Sequence, residues 1–89
     1  MVSMISGVIW NIRGIAKPAA SKRIKFFVRL YSIKFIALLE PLVDSASIQQ
    51  FALSLGFPNF ISNISGKIWV FWDNSLQGIF FKIIPNVFR

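Results

Sequence analysis

Two stretches of helical periodicity, each preceded by a short apolar run, constrain the fold of this chain more than any other feature. In each stretch, four apolar residues recur at positions i, i+3, i+4 and i+7, the spacing of one face of an α-helix. They are Ile24, Phe27, Val28 and Tyr31 in the first stretch and Ile48, Phe51, Ala52 and Leu55 in the second. The pattern predicts two amphipathic helices that each bury one side.

Both predicted helices carry end signals. Pro18 suits the first turn of the first helix, where its missing N–H is not needed. Asp44 or Ser45 can cap the second helix through a side-chain oxygen. Gly56 is the expected stop of the second helix, because glycine tolerates the left-handed conformation that ends many helices.

The apolar runs predict strands. Glu40-Pro41 ends the second run, since proline cannot donate to a strand ladder, and Ser65-Gly66 supplies a turn between the third and fourth. The predicted strands cover residues 2–10, 33–39, 57–64 and 67–72, with a further strand over 78–84 left open. The predicted order is β-α-β-α-β-β-(β), an α/β (α+β) fold.

This order places two polar residues at one edge of the sheet. A strand, a crossover helix and a second strand of the same sheet run parallel, so the first two strands end at the same edge. Asn11 ends the first strand and Glu40 ends the second. Ligand sites of open α/β sheets lie outside such strand ends. We therefore expect Asn11 and Glu40 to be neighbours in space.

Composition narrows the chemistry. The 89 residues contain no Cys and no His, which excludes disulfides, thiolate metal sites and the commonest general base. Ten Lys and Arg against three acidic residues give a formal net charge of +7, which favours polyanionic partners. The apolar runs are too short or too interrupted for a transmembrane helix. With no signal peptide recognised, an intracellular location is expected rather than secretion.

A carboxylate beside an amide at a sheet edge suits phosphodiester chemistry. Glu40 can hold a hard cation such as Mg²⁺, which prefers oxygen ligands. Asn11 can orient that carboxylate or donate to a phosphate oxygen. The spacing alone leaves the plainer alternative open, in which Asn11 only turns the chain and Glu40 only closes a strand.

Three motifs together resemble the endonuclease/exonuclease/phosphatase superfamily. They are WNIRG at residues 10–14, LLE at 38–40 and GKIWVFW at 66–72. The sequence is most similar to the apurinic-type endonuclease domains at the front of plant non-LTR (LINE-type) retrotransposon polyproteins. Those domains carry a WN-[IV]-RG motif, an LLE motif and a Gly-basic-[IV]-W-x-x-W strand in this order. The resemblance covers residues 8–73.

The resemblance implies a function and a site. It identifies residues 1–73 as the amino-terminal portion of a metal-dependent DNA endonuclease domain, and residues 74–89 as a divergent tail. Asn11 corresponds to the family's catalytic Asn, and Glu40 to its Mg²⁺-binding catalytic Glu. It further implies a truncated four-layer α/β sandwich, inactive alone, that folds poorly and associates or aggregates through an uncovered sheet face.

Several residues depart from the family pattern. Its later strands supply a Tyr, an Asp-x-Asn pair and a closing Asp-His pair, whereas this chain has no His and its one Tyr, Tyr31, falls on the first predicted helix. Asp73-Asn74 comes too early in the chain to be the Asp-x-Asn pair. Pro41 stands where the family commonly has Thr, which affects the geometry next to Glu40.

The basic residues and tryptophans leave alternatives open. Candidate nucleic-acid contacts are Arg13, Lys22, Lys25 and Arg29, although a basic helix face is more often simply solvated. Trp69 and Trp72 could stack on bases, but burial in the core is the stronger expectation for a strand. Two other functions therefore stay open: a non-catalytic nucleic-acid-binding fragment, and a cationic amphipathic peptide on a membrane surface.

Overall fold

The computed structural model of the chain describes residues 7–15, 17–63, 65–76 and 78. Their helices and strands are β1 (Gly7–Asn11), α1 (Pro18–Leu30), β2 (Phe35–Leu39), α2 (Ile48–Leu55), β3 (Asn59–Ser62) and β4 (Ile68–Trp72). This order confirms the predicted α+β class. Residues 2–6 of the first predicted strand, and residues 79–84 of the open fifth one, lie outside the described residues.

The helix α1 begins at Pro18, as predicted, and ends at Leu30. Tyr31 was expected on its buried side but is 57% exposed, because it follows the last helical residue and caps the helix instead. The Tyr31 ring rests against Phe27, with 4.7 Å between ring centroids. In the part of the chain that the structure describes, no helix is long and apolar enough to cross a membrane.

The helix α2 directly follows a short 3₁₀ turn at Ser45–Ser47. Asp44 caps that turn, as its carboxylate accepts a hydrogen bond of 3.0 Å from the Ala46 N–H. Gly56 ends α2 with a φ of 85°, in the left-handed region that glycine adopts without strain. Gly56 is therefore confirmed as the stop of α2, whereas Asp44 caps the preceding 3₁₀ turn, and Ser47 at the start of α2 makes no side-chain capping bond.

The four strands form one mixed sheet in the order β1-β2-β4-β3. β1 and β2 run parallel, as predicted, and β4 runs antiparallel to both β2 and β3. β1, β2 and β3 consequently all end at the same edge of the sheet. At that edge, Asn11 of β1 is paired with Leu39 of β2, and Leu39 with Ile68 of β4.

Both helices cover the same face of the sheet. Side chains from α1, α2 and alternate strand positions join in one core cluster on this covered face. Its fully buried members are Ile15, Ile24, Ile36, Leu38, Trp69 and Phe71. The expectation that Trp69 packs in the core is confirmed, although its indole Nε1 has no hydrogen-bond partner among the described residues.

The opposite face of the sheet carries a smaller apolar cluster. Val70, Trp72 and Leu76 are its buried members. Partly buried side chains pack around them: Phe35, Ala37, Ile61 and Ile68. Ile9, on the same side of β1 as Asn11, is 70% exposed. The described elements thus form two layers, helices and sheet, and the four-layer sandwich stays a prediction.

Candidate functional site at the carboxyl-terminal rim

The candidate site lies where β1 and β2 end side by side. Asn11 is the last residue of β1 and is paired with Leu39, the last residue of β2. Glu40 follows immediately, and its N–H donates a 2.8 Å hydrogen bond to the Lys67 carbonyl oxygen just before β4. The structure therefore brings Asn11 and Glu40 to one edge, here called the rim (Asn11, Arg13, Glu40, Leu42 and Lys67).

Backbone hydrogen bonds continue the pairing beyond the two strands. The Ile12 N–H donates to the Leu39 carbonyl at 3.1 Å, and the Gly14 N–H donates to the Glu40 carbonyl at 3.0 Å. The Ile15 N–H then reaches the carbonyl of Pro41 at 2.9 Å. These bonds hold the loop after β1 against the loop after β2, so the backbones of the WNIRG and LLE segments are joined by hydrogen bonds.

The rim backbone is strained. Arg13, Glu40 and Leu42 have φ values of 48°, 54° and 58°, in the left-handed region that non-glycine residues seldom adopt. Elsewhere among the described non-glycine residues, only Ser32 has a positive φ. Each such residue costs about 1–3 kcal/mol, and such strain tends to gather at functional sites. The rim therefore keeps a backbone conformation that lowers the stability of the fold.

Glu40 has a cationic neighbour. The Arg13 Nε lies 3.7 Å from the Glu40 Oε2, with the two side chains 77% and 50% exposed. A pair this exposed contributes about 0–1 kcal/mol to folding. The pair places a guanidinium beside the carboxylate that is the predicted Mg²⁺ ligand.

Asn11 points away from the helices. Along β1 the alternate residues Val8 and Trp10 pack against the covered core, which places Gly7, Ile9 and Asn11 on the other side. Asn11 itself is exposed. The amide is thus accessible at the rim, as a group that contacts a ligand must be.

An open groove of about 500 Å³ adjoins Glu40. It is lined by Glu40, Leu42, Val43, Asp44, Ser65, Gly66 and Lys67. Asp44 and Lys67 were missed as site residues: Asp44 was interpreted only as a helix cap, and Lys67 only as a strand start. No sequence signal pointed to them, because the turn before β4 comes next to Glu40 only through the insertion of β4 beside β2.

The residues at the rim fit a metal ion poorly. No group of three or more His, Cys, Asp or Glu side chains that could hold an ion occurs within residues 7–15, 17–63, 65–76 and 78. Asp44 already uses its Oδ1 to accept from Ala46, and Arg13 lies against Glu40. These donors by themselves do not make a complete Mg²⁺ centre.

The predicted nucleic-acid contacts divide between two surfaces. Arg13 belongs to the rim. Lys22 and Arg29 are exposed and Lys25 is partly buried on the outer side of α1, while Ile24 packs inward. The structure therefore does not gather the four basic residues into one patch around Glu40.

Asp73 lies at the other end of the sheet. Its N–H donates to the Lys34 carbonyl at 2.8 Å, just before β2 begins. Hydrogen bonds from the side chain and the backbone N–H of Ser75, with the nearby charge of Lys34, hold the pKa of Asp73 below its ordinary value. This placement agrees with the view that Asp73 is not part of the rim site.

Comparison with protein-family models, with curated proteins and with solved structures finds no match to this chain.

Proposed function

We propose that the chain is the amino-terminal portion of a metal-dependent phosphodiesterase domain of the endonuclease/exonuclease/phosphatase type. The observation that supports this most is the parallel pairing of β1 with β2, which puts Asn11 beside Leu39 and Glu40 at the same rim. These are the two positions that the resemblance assigns to the active site. The three motifs also fall where that assignment needs them, at the end of β1, at the end of β2 and along β4.

The proposed roles follow from the chemistry of the two side chains. The Asn11 amide donates to a phosphate oxygen, where it opposes the negative charge that develops during phosphodiester cleavage. The Glu40 carboxylate would supply one oxygen ligand to Mg²⁺ once other groups completed the site, and the bound metal would polarise the phosphate. Because the chain lacks the Asp-x-Asn and Asp-His pairs that the resembled family uses, we expect the 89 residues alone not to cleave DNA.

The opposite sheet face supports the same proposal. Val70, Trp72 and Leu76 are buried there, whereas Ile9, on the same side of β1 as Asn11, is 70% exposed. In the resembled family, a second sheet covers this face. We expect the isolated chain to associate through it, and size-exclusion chromatography with circular dichroism measures this. A monodisperse monomer at the concentrations tested would contradict the expectation.

A chimera tests the proposed ancestry directly. Residues 1–73 replace the matching amino-terminal part of an active endonuclease of this superfamily, whose later strands supply the Asp-x-Asn and Asp-His pairs. The expected result is Mg²⁺-dependent nicking of supercoiled and abasic DNA. Glu40→Gln and Asn11→Ala should each lower nicking by about 100-fold or more, as removing one charge-stabilising group does in other enzymes.

Asp73→Asn is the matched control, because it removes a carboxylate at the far end of the sheet and should leave nicking unchanged. A folded chimera without activity, or one equally active with Glu40→Gln, would refute the proposal. The 89-residue chain itself is assayed in parallel. Cleavage by this chain that depends on Glu40 would refute the claim that it is inactive alone.

DNA is the proposed substrate, and Arg13 is the rim residue that supports it, since a guanidinium pairs well with phosphate. We expect the chimera to bind DNA in a salt-dependent manner, and we expect Arg13→Ala to weaken this binding. Binding of equal strength with Arg13→Ala would remove Arg13 from the contact. If the 89-residue chain alone binds DNA, and Glu40→Ala does not change the affinity, the non-catalytic binding function is favoured instead.

A further inference from the structure

The outer side of α1 combines exposed apolar and basic side chains. Phe26 is 67% exposed and Leu30 is 59% exposed, although both are large apolar residues. They are four positions apart, so they lie next to each other on the helix surface. Lys22 and Arg29 flank them and are also exposed. Large apolar side chains exposed on a folded domain often mark a contact surface.

The neighbouring helix extends this surface. α2 exposes Leu53 by 74% on the side away from its buried residues. Because α1 and α2 pack on the same face of the sheet, their outer sides face the same way. We call this the helix-layer surface, and its residues are Lys22, Arg23, Phe26, Arg29, Leu30 and Leu53.

The helix-layer surface is basic without acidic compensation. α1 carries Lys22, Arg23, Lys25 and Arg29, and neither α1 nor α2 contains Asp or Glu. Glu40 and Asp44 lie at the rim groove, and Asp73 lies at the far end of the sheet. The charge of this surface is therefore complementary to an anionic partner.

We infer that the helix-layer surface binds an anionic phospholipid bilayer. Cations at the phosphate level and apolar side chains below it are the features of helices that lie in a membrane interface. Phe26, Leu30 and Leu53 supply the apolar part, and the flanking Lys and Arg side chains reach the lipid phosphates. A nucleic acid would satisfy the charges but would give aliphatic side chains such as Leu30 and Leu53 nothing to bury against.

This surface is separate from the rim, so the inference does not depend on the proposed nuclease ancestry. It also differs from the cationic amphipathic peptide that the sequence left open, which would become helical only on the membrane surface. The outer side chains dock while Ile24, Ala52 and Leu55 stay in the core. Vesicle binding therefore leaves the helical content of the chain unchanged, whereas a disordered peptide gains helix on vesicles.

Vesicle sedimentation with the full 89-residue chain tests the inference. The chain should bind vesicles of phosphatidylcholine with phosphatidylserine at least about tenfold more strongly than vesicles of phosphatidylcholine alone. The double substitution Phe26→Ser with Leu30→Ser keeps the charge and should weaken binding by about tenfold or more. Leu42→Ser is the matched control, since Leu42 is 71% exposed at the rim, and it should bind as the unmodified chain does.

A second variant separates charge from apolar insertion. Replacing Lys22, Arg23 and Arg29 by Gln should abolish the preference for phosphatidylserine. Three results would overturn the inference: no binding to anionic vesicles, equal binding by the Phe26/Leu30 variant, or a rise in helical content on binding. The surface would be assigned to nucleic acid instead if the chain bound duplex DNA and not vesicles, and if this DNA binding depended on Lys22, Arg23 and Arg29 but not on Phe26 or Leu30.

Discussion

On the covered face of the sheet, apolar side chains from both helices and from β2 and β4 are buried in regular structure, whereas at the rim polar side chains lie exposed on strained backbone. Leu38 and Leu42 show the contrast within one short segment: Leu38 is fully buried, and Leu42 is 71% exposed with a φ of 58°. The covered face therefore supplies the folding free energy. The rim reduces that free energy, which is expected where a site is maintained for function.

The largest expected effect is the loss of stability caused by Leu38→Ala, for which a leucine substitution at the rim is the control. Leu38→Ala should lower the free energy of unfolding by about 2–5 kcal/mol, because it removes buried methyl groups and leaves a cavity. A core of this size supplies rarely more than about 3–5 kcal/mol, so the variant should lose cooperative unfolding. Urea titration followed by tryptophan fluorescence and near-ultraviolet circular dichroism measures this loss.

Leu42→Ala is the control for that substitution. It should change the free energy of unfolding by less than about 0.5 kcal/mol, since exposed substitutions seldom matter. Similar losses for both variants would show that Leu42 is buried in solution, and that the contrast between covered face and rim is wrong.

The next effect has the opposite sign. Leu42→Gly should raise the free energy of unfolding by about 0.5–1 kcal/mol. The left-handed conformation costs a non-glycine residue about 1–2 kcal/mol, and glycine removes this cost. Part of the gain is cancelled because glycine increases the conformational entropy of the unfolded chain. Leu42→Ala keeps the strain and separates side-chain loss from backbone relief. A glycine variant that is less stable than the alanine variant would contradict the strain assigned to the rim.

A smaller effect is expected from the ion pair at the rim. A double-mutant cycle of Arg13→Ala and Glu40→Gln should give a coupling free energy below about 1 kcal/mol, as is usual for exposed pairs. The stability of the fold is then nearly independent of the charges on which the proposed activity depends. A coupling well above that value would mean that the pair holds the rim together.

The smallest effect is the pH dependence from Asp73. Its folded-state pKa is lowered by Ser75 and Lys34, so its carboxylate stabilises the fold above the ordinary aspartate pKa of about 4. That contribution is lost as the pH falls through the lowered folded-state pKa. Thermal melting across acidic pH should show a shallower slope for Asp73→Asn than for the unmodified chain. Identical slopes would show that Asp73 makes no such contribution.

Part of the candidate site was predictable from the sequence. The parallel pairing of β1 and β2 follows from a strand, a helix and a strand in succession, and it brings Asn11 and Glu40 to one edge. Arg13 was expected to contact nucleic acid, not to pair with Glu40. That pairing depends on the hydrogen bonds that join Gly14 to Glu40 and Ile15 to Pro41, and no local pattern reveals such bonds.

The groove beside Glu40 was not predictable. Asp44 and Lys67 line it because β4 inserts between β2 and β3. The sequence indicates that β3 and β4 form a hairpin, but it does not indicate which of the two lies next to β2. That choice depends on which side chains fill the covered core, where Trp69 and Phe71 of β4 are fully buried.

By itself, the sequence determined the class of fold, the order of the elements and some of their limits, such as the start of α1 and the ends of β2 and α2. Pro18, Gly56 and the Ser65-Gly66 turn act over a few residues, so their effects can be recognised without knowing the rest of the chain. Only the tertiary structure decided the strand order, the left-handed conformation of Glu40 and its pairing with Arg13. These features depend on contacts between residues that are distant in the chain. Such contacts are set by which side chains are buried and by strand register, and not by local conformational preference.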